Sequence, residues 1–209
     1  DSSNKARELR RQTEDQRYIA QLLIEEQRGE QRKIQLLRML SLVYQQQGDM
    51  DIAEERLHEA YQLNPLDVGT NNDLGYCLAD AGRDLDRAER MIRLAVDEDP
   101  RQPAYLDSLG WVLYKKGQFQ EARIWLQRAV NLEAGQDPVI YDHLGDTLWR
   151  LGHKEEAVTG WQKALAVYEE QTARQMARSS DQQLIEQIKE KIRQYQQQEV
   201  PEVAPVVGE

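Results

Sequence analysis

The residues best suited to chemistry lie close together along the chain: Asp142, His143 and Asp146. Carboxylate and imidazole groups one helical turn apart can ligate a divalent metal. The same residues can equally form an ordinary polar cluster that lines a groove on the protein surface. This interpretation requires no metal ion. We therefore predict neither a metal nor any other cofactor.

No other residues of the sequence form a catalytic set. The single cysteine, Cys77, lies beside Leu78 in a helical pattern, which favours a structural thiol over a nucleophile. Seven of the 12 glycines occupy repeated positions instead of forming a phosphate-binding loop, and no Ser, His and Asp arrangement has sequence support. The chain is therefore predicted not to be an enzyme.

A period of 34 or 35 residues runs through the middle of the chain. Leucines recur at spacings of 34, 35 and 35 residues, and glycines eight residues further on keep the same spacings. Two series of alanines share the period. Such a period is typical of helix–turn–helix units that stack into a solenoid. The repeated positions are Leu40, Gly48, Ala53 and Ala60, then Leu74, Gly75, Gly82, Ala88 and Ala95, then Leu109, Gly110, Gly117, Ala122 and Ala129, and finally Leu144, Gly145, Gly152, Ala157 and Ala164.

Each repeated position has a predicted structural role. A small residue follows the leucine of the first helix, as at Gly75, and allows the paired helix to approach closely. The next glycine, such as Gly82, ends that helix in a left-handed conformation. Pro103 and Pro138 lie where first helices begin, a position that proline tolerates.

The combination of Leu-Gly-x-x-Leu, Gly, Ala, an apolar residue, Ala and Pro at these spacings resembles the tetratricopeptide repeat over about residues 34–170. The resemblance implies an all-α fold, a right-handed α-solenoid of four helical hairpins with N- and C-terminal helical caps. Residues 106–114, Leu-Asp-Ser-Leu-Gly-Trp-Val-Leu-Tyr, are similar to a bacterial subgroup that includes tetratricopeptide lipoproteins of the cell envelope, some of which are protease adaptors.

The location of the protein stays open between the cytoplasm and the periplasmic side of a bacterial envelope. The lipidated N-terminal cysteine of such lipoproteins does not occur in this sequence, which begins at Asp1. We therefore expect a mature form or an excised fragment. No apolar run approaches the roughly 20 residues of a membrane-spanning helix.

Four parts are predicted along the chain. The first carries an apolar stripe of Tyr18, Ile19, Leu22 and Leu23, and the last contains Pro201 and Pro205. In chain order the parts are an N-terminal helix or cap (1–32), four repeats (33–170, at about 34–66, 68–102, 103–136 and 138–170), a C-terminal capping helix (171–197) and a disordered tail (198–209).

The resemblance implies that the first helices of the repeats line a concave groove. The residues there are aromatic and acidic, which suits a surface that holds a peptide, since rings anchor apolar groups and carboxylates attract Lys and Arg. The rings can equally pack against the next helix, and the carboxylates can form an ordinary solvated face. The predicted contacts are Asp73, Tyr76, Asp107, Trp111, Tyr114, Asp142, His143, Asp146 and Trp149.

The leading functional prediction is a non-catalytic scaffold or adaptor that binds a peptide or protein segment in this groove. Two alternatives are a homo-oligomeric structural element assembled through the N-terminal helix and a regulatory repeat region of a larger protein. The net charge is −10, and residues 49–107 hold 15 Asp and Glu against 6 Lys and Arg. This acidity repels nucleic acid, so we expect a neutral to basic protein partner.

Overall fold

The structure is a computed structural model that describes residues 2–174 and 181–208, with side chains described from Glu25 onward. This part of the chain is helical and contains no strand. In chain order its elements are α1 (Ser2–Gln47), α2 (Met50–Leu63), α3 (Val68–Asp80), α4 (Leu85–Glu98), α5 (Pro103–Lys115), α6 (Phe119–Val130), a 3-10 turn (Glu133–Gly135), α7 (Pro138–Arg150), α8 (Lys154–Ala173) and α9 (Asp181–Gln196).

The chain divides into two compact units, residues 1–65 and residues 66–209. In the first unit α1 pairs with α2 through a small apolar core of Ile34, Leu37 and Ala60. Helix α1 runs without interruption through the boundary at residue 32 that the sequence analysis placed between the cap and the first repeat. The single glycine in this region, Gly29, does not end the helix, because one interior glycine costs only about 1 kcal/mol relative to alanine.

Leu40 does not take the buried position predicted from the repeat. Its side chain is 45% exposed, whereas the matching leucines of the next two repeats, Leu74 and Leu109, are fully buried. Within its unit α1 packs on α2 with the face that carries Ile34 and Leu37. Leu40 lies on another face of α1. The apolar stripe predicted at residues 18–23 lies outside the described side chains.

The second unit consists of three helical hairpins, α3–α4, α5–α6 and α7–α8, followed by α9. Within it the first helices α3, α5 and α7 are successive neighbours, and α4 and α6 each contact the first helix of the next hairpin. Helix α9 packs on α8. This arrangement confirms the stacked helical hairpins that the 34-residue period predicts.

The first helix of each hairpin ends at a glycine in the left-handed conformation, as predicted. Gly117 has φ 74°, and its N–H donates to the carbonyl of Tyr114, while the N–H of Gln118 donates to the carbonyl of Leu113. These two bonds satisfy carbonyls at the helix end and turn the chain into the second helix. Pro103 and Pro138 begin α5 and α7, also as predicted.

The small residue after each leucine of the second unit sits where two helices of a hairpin touch. A Cβ atom built on Gly110 would lie 2.5 Å from Cγ of Leu126, and one on Gly145 would lie 2.5 Å from the Trp161 ring. Real Cβ atoms do not approach other atoms this closely, so only glycine permits the observed spacing. The large side chains of the second helices fill the space that the glycines leave.

The predicted C-terminal capping helix is shorter than residues 171–197. Helix α8 continues to Ala173, and the separate helix α9 begins at Asp181. Residues 175–180 lie outside the described part of the chain. Helix α9 buries Ile188 and Ile192 of its apolar face, as expected for a helix that covers the end of a repeat array.

Candidate functional site

Five of the nine predicted groove residues, Tyr76, Trp111, Asp142, His143 and Asp146, border a cleft of about 790 Å³ within the second unit. Helices α3, α5 and α7 form one side, and α9 with the chain segment that follows it forms the other. The lining residues that matter for its chemistry are Tyr76 and Asp80 of α3, Trp111 and Lys115 of α5, Asp142, His143 and Asp146 of α7, Lys191 of α9, and Ala204.

Three rings stack between α5 and α7. The centroids of Trp111 and His143 are 3.9 Å apart at an interplanar angle of 14°, and those of Trp111 and Tyr114 are 5.0 Å apart at 8°. The indole N–H of Trp111 donates to Asp80 of α3 at 3.1 Å. Trp111 and Tyr114 are almost wholly buried. These rings therefore form the wall of the groove instead of projecting into it.

His143 pairs with a carboxylate of the preceding hairpin. Its Nδ1 lies 2.9 Å from Oδ1 of Asp107, and the two side chains are only 7% and 10% exposed. Burial by itself lowers the pKa of His143. The hydrogen bond and charge of Asp107, with the charges of Asp142 and Asp146, outweigh burial and raise the pKa above its ordinary value. The pair thus links α5 to α7 most strongly when the imidazole is protonated.

The carboxylate of Asp146 joins three elements. Its Oδ1 accepts from the indole N–H of Trp161 at 2.9 Å and from Nζ of Lys191 at 2.7 Å. Its Oδ2 accepts from the backbone N–H of Ala204 at 3.1 Å. Asp146 is 1% exposed, and these three donors compensate the loss of its hydration.

Lys191 brings a positive charge into the acidic groove from within the chain. Its Nζ lies 2.8 Å from Asp142 and 2.7 Å from Asp146. Burial, with repulsion from Asp146, raises the pKa of Asp142 to about 6, although Lys191 acts in the opposite direction. Burial lowers the pKa of Lys191, but the two carboxylates outweigh it and raise that pKa. Asp142, His143 and Asp146, whose spacing could suit a metal ion, are therefore all paired with charged side chains of the chain itself.

An extended segment of the chain lies along the groove. The carbonyl of Ala204 accepts from the hydroxyl of Tyr114 and from Nη2 of Arg150, the latter at 3.0 Å. The N–H of Val207 donates to the carbonyl of Lys115 at 3.2 Å. The sequence analysis predicted disorder for residues 198–209, but main-chain atoms of Ala204, Pro205 and Val207 make long-range hydrogen bonds to the hairpins. The composition of this segment, with Pro201 and Pro205, does not reveal such bonds.

The chain reverses direction at Gln198. This residue has φ 61°, its N–H donates to the carbonyl of Tyr195, and the N–H of Glu199 donates to the carbonyl of Gln194. The same two hydrogen bonds end the first helix of each hairpin at its repeat glycine. At Gln198 the left-handed conformation costs free energy, because glutamine has a Cβ atom. The reversal directs the following residues back over the hairpins.

The structure brings most of the predicted contact residues together and buries many of them. Tyr76 is half-buried, and burial together with Asp80 and Asp107 raises the pKa of its hydroxyl well above the ordinary value. Trp149 lies beside Trp161 and meets the ring of Tyr195 edge-on at 6.1 Å. Asp73 is placed differently, since its carboxylate accepts from the adjacent Asn72 amide and does not line the cleft. Contact with a partner stays a prediction for the whole set.

Sequence reasoning did not identify Lys191 or Ala204 as residues of the site. Lys191 follows Ile188 by three residues and precedes Ile192, so a lysine on the apolar face of α9 was a usable signal for an internal ion pair. Ala204 has no comparable signal, because its contacts are made by backbone atoms.

Comparison with known families matches the repeats directly. One tetratricopeptide repeat description matches residues 38–103 and 79–138, and a second matches residues 139–170. The matches together span well over half of the chain. The chain belongs to the tetratricopeptide repeat family. No curated protein sequence matches it significantly.

Solved structures share the fold at low sequence identity. A Pseudomonas aeruginosa PilF structure is 21% identical with a TM-score of 0.55, covering 68% of this chain and 64% of that one. A Thermobaculum terrenum O-GlcNAc transferase mutant is 21% identical with a TM-score of 0.56, covering 66% of this chain but only 27% of the transferase. The MamA RS-1 ArsTM double mutant is 18% identical with a TM-score of 0.51, at 66% and 76% coverage. These likenesses establish the helical-repeat fold alone.

None of the helices in the described part of the chain is both long enough and apolar enough to cross a lipid bilayer.

Proposed function

We propose that this chain is a non-catalytic scaffold that holds a segment of another protein in the groove of α3, α5 and α7. Tetratricopeptide repeats are typically interaction modules for proteins and peptides. The observation that carries the proposal is the cleft of about 790 Å³ along three successive first helices. Half-buried Tyr76 and exposed Asp80 lie at its edge, where an incoming segment can reach them.

The charge of the groove favours a neutral to basic partner. Asp142 and Asp146 are already paired with Lys191, so they offer little further attraction. Asp80 remains exposed, and residues 49–107 carry 15 acidic against 6 basic residues. A field of this sign steers basic segments toward the surface and repels nucleic acid.

Affinity capture with matched variants tests the proposal. Tyr76→Ala removes a half-buried ring at the edge of the groove, while Ile124→Ala removes a side chain that is 60% exposed on α6. A protein that the wild type captures is expected to bind the Ile124→Ala variant equally well. Its binding to the Tyr76→Ala variant is expected to be weaker by about 1–2 kcal/mol. Helicity and melting of both variants serve as controls. Equal binding to wild type and Tyr76→Ala contradicts the placement in the groove.

Homo-oligomerisation through the N-terminal helix is a second candidate, favoured by one observation. Leu36, Met39, Leu40 and Val43 of α1 are 60%, 62%, 45% and 46% exposed. Their spacing of three, four and seven residues places them on one face of the helix, as in helix pairs that bury an apolar seam. We expect this apolar face of α1 to pack against the same face of a second copy of the chain.

Light scattering at two protein concentrations tests this second candidate. The wild type is expected to increase in mass with concentration, and a Leu36→Gln/Leu40→Gln variant is expected to remain at the mass of one chain. Because both positions are exposed, the variant is expected to keep the fold, and its melting temperature checks this. A wild type that stays monomeric at the higher concentration excludes this assembly.

A further inference from the structure

The segment after α9 occupies the groove mainly through its backbone. At Ala204 the N–H donates to Asp146 and the carbonyl accepts from Tyr114 and Arg150. The carbonyl of Pro205 accepts from Nζ of Lys115 at 3.4 Å. Main-chain bonds of this kind fix the path of an extended peptide without reading its sequence closely.

The groove therefore places a specific demand on any occupant. If residue 204 leaves, a buried carboxylate oxygen of Asp146 loses its donor, and Tyr114 and Arg150 lose an acceptor. Unsatisfied buried polar groups are costly, so a replacement must present an N–H and a carbonyl from one residue of an extended chain. Ala204 is followed by Pro205, which has no N–H to satisfy, and a proline favours an extended conformation of the residue before it.

The segment is held in a manner that permits exchange. Val200 and Val207 are 81% and 53% exposed, whereas Pro201 is buried and Val203, Ala204 and Val206 are half-buried. The segment begins at Gln198, whose φ of 61° is unfavourable for a glutamine. Its position thus depends on a few main-chain hydrogen bonds and on the burial of small apolar side chains, and another extended peptide can reproduce both.

We propose that residues 199–208 are an internal occupant of the partner site, and that the partner is an extended segment with a small residue followed by proline, which competes with them. This inference rests on the proposed function, because it names the chemistry of the segment that the groove would hold. While residues 199–208 lie in the groove, the chain binds only partners whose backbone can make the same hydrogen bonds. Such a partner must also bind tightly enough to displace these residues.

A binding measurement on the full-length chain tests the competition. The probe is a fluorescein-labelled peptide with the sequence of residues 199–208, followed by fluorescence anisotropy. Ala204→Pro removes the N–H that donates to Asp146 and so weakens the internal occupant. Val200→Pro is the matched control, since it places a proline in the same segment at a residue that is 81% exposed. Circular dichroism of both variants verifies that the helices are unchanged.

The Ala204→Pro chain is expected to bind the probe at least about tenfold more tightly than the wild type or the Val200→Pro chain, because its own segment no longer competes. A probe that is N-methylated at the residue matching Ala204 is expected to lose that binding, since it cannot donate to Asp146. Equal affinities for the wild type and the Ala204→Pro chain, or equal binding of both probes, overturn the inference.

Two further outcomes separate this inference from the proposed function. If no chain binds the probe while Tyr76→Ala still releases a captured protein, the groove binds a partner and the inference about residues 199–208 is wrong. If the wild type forms a concentration-dependent dimer that Ala204→Pro abolishes, the occupant is the segment of a second copy, and competition by a partner protein is overturned.

Discussion

At the scale of single residues, the groove contains ion pairs that link α5 to α7 and α7 to α9. His143 bonds to Asp107, and Lys191 bonds to both Asp142 and Asp146. The sequence predicted His143 and the three carboxylates as residues of one surface, but not Lys191. It did not predict their burial, because that depends on α9, whose contacts with α7 span 45 to 49 positions along the chain.

The His143 pair makes stability depend on pH. Its folded-state pKa is raised above the ordinary value of 6.5, so the folded protein binds this proton more tightly than the unfolded chain. The stabilisation is fully present below about pH 6.5 and is lost as the pH rises through the folded pKa. Urea unfolding is expected to show wild-type stability falling above pH 6.5.

His143→Gln is the control for this pH dependence. Glutamine retains an amide donor for Asp107 but does not titrate. The difference in unfolding free energy between the two proteins reports the histidine together with its effect on Asp142, whose pKa the charge of His143 lowers. Parallel curves for wild type and variant above pH 6.5 contradict the assigned role.

The ion pairs of Lys191 with Asp142 and Asp146 give a second prediction. The stabilisation that they provide is expected to decrease in acid, whereas the stabilisation from the His143 pair is retained there. Lys191→Met leaves Asp142 and Asp146 buried without their cation and is expected to cost about 3 kcal/mol at pH 8. The cost is expected to shrink at pH 5, because Asp142, with a pKa of about 6, is then protonated. Lys189→Met, at a side chain that is 53% exposed, should cost less than about 0.5 kcal/mol at either pH. A pH-independent cost for Lys191→Met disagrees with this account.

At the scale of elements, glycine identity decides how closely two helices pack. Gly110→Ala places a methyl group 2.5 Å from Leu126 and is expected to destabilise the protein by about 1–3 kcal/mol. Gly29→Ala in α1 meets no atom within 4 Å and should be neutral or stabilise by up to about 1 kcal/mol. Thermal unfolding of both variants distinguishes close approach from a general intolerance of alanine. Equal effects of the same sign contradict the packing argument.

The helices themselves were largely predictable, because their signals are local. The glycines that end the first helices, the prolines at the starts of α5 and α7, and the alanine positions of the second helices all recur at a fixed period. The segment after α9 was not predictable for the opposite reason. Ala204 and Asp146 are 58 positions apart, and the bond between them uses a backbone N–H that every residue except proline has.

At the scale of the whole molecule, the repeat period predicts helical hairpins but not how they group. The chain divides after Pro65 into two compact units, although the repeat positions continue across that point. In the second unit the groove is bordered by α9 and the returning segment as well as by the repeats. The cleft within this unit is therefore narrower than the full set of first-helix residues suggests.

The central claim is that a protein partner occupies the groove of α3, α5 and α7. Site-specific photocrosslinking tests it most directly, with p-benzoylphenylalanine placed at Tyr76 in one protein and at Ile124 on α6 in another. The account predicts a crosslinked partner from position 76 and none from position 124, with an added excess of the peptide of residues 199–208 reducing the yield. A partner that crosslinks at position 124 and not at position 76 would contradict the claim.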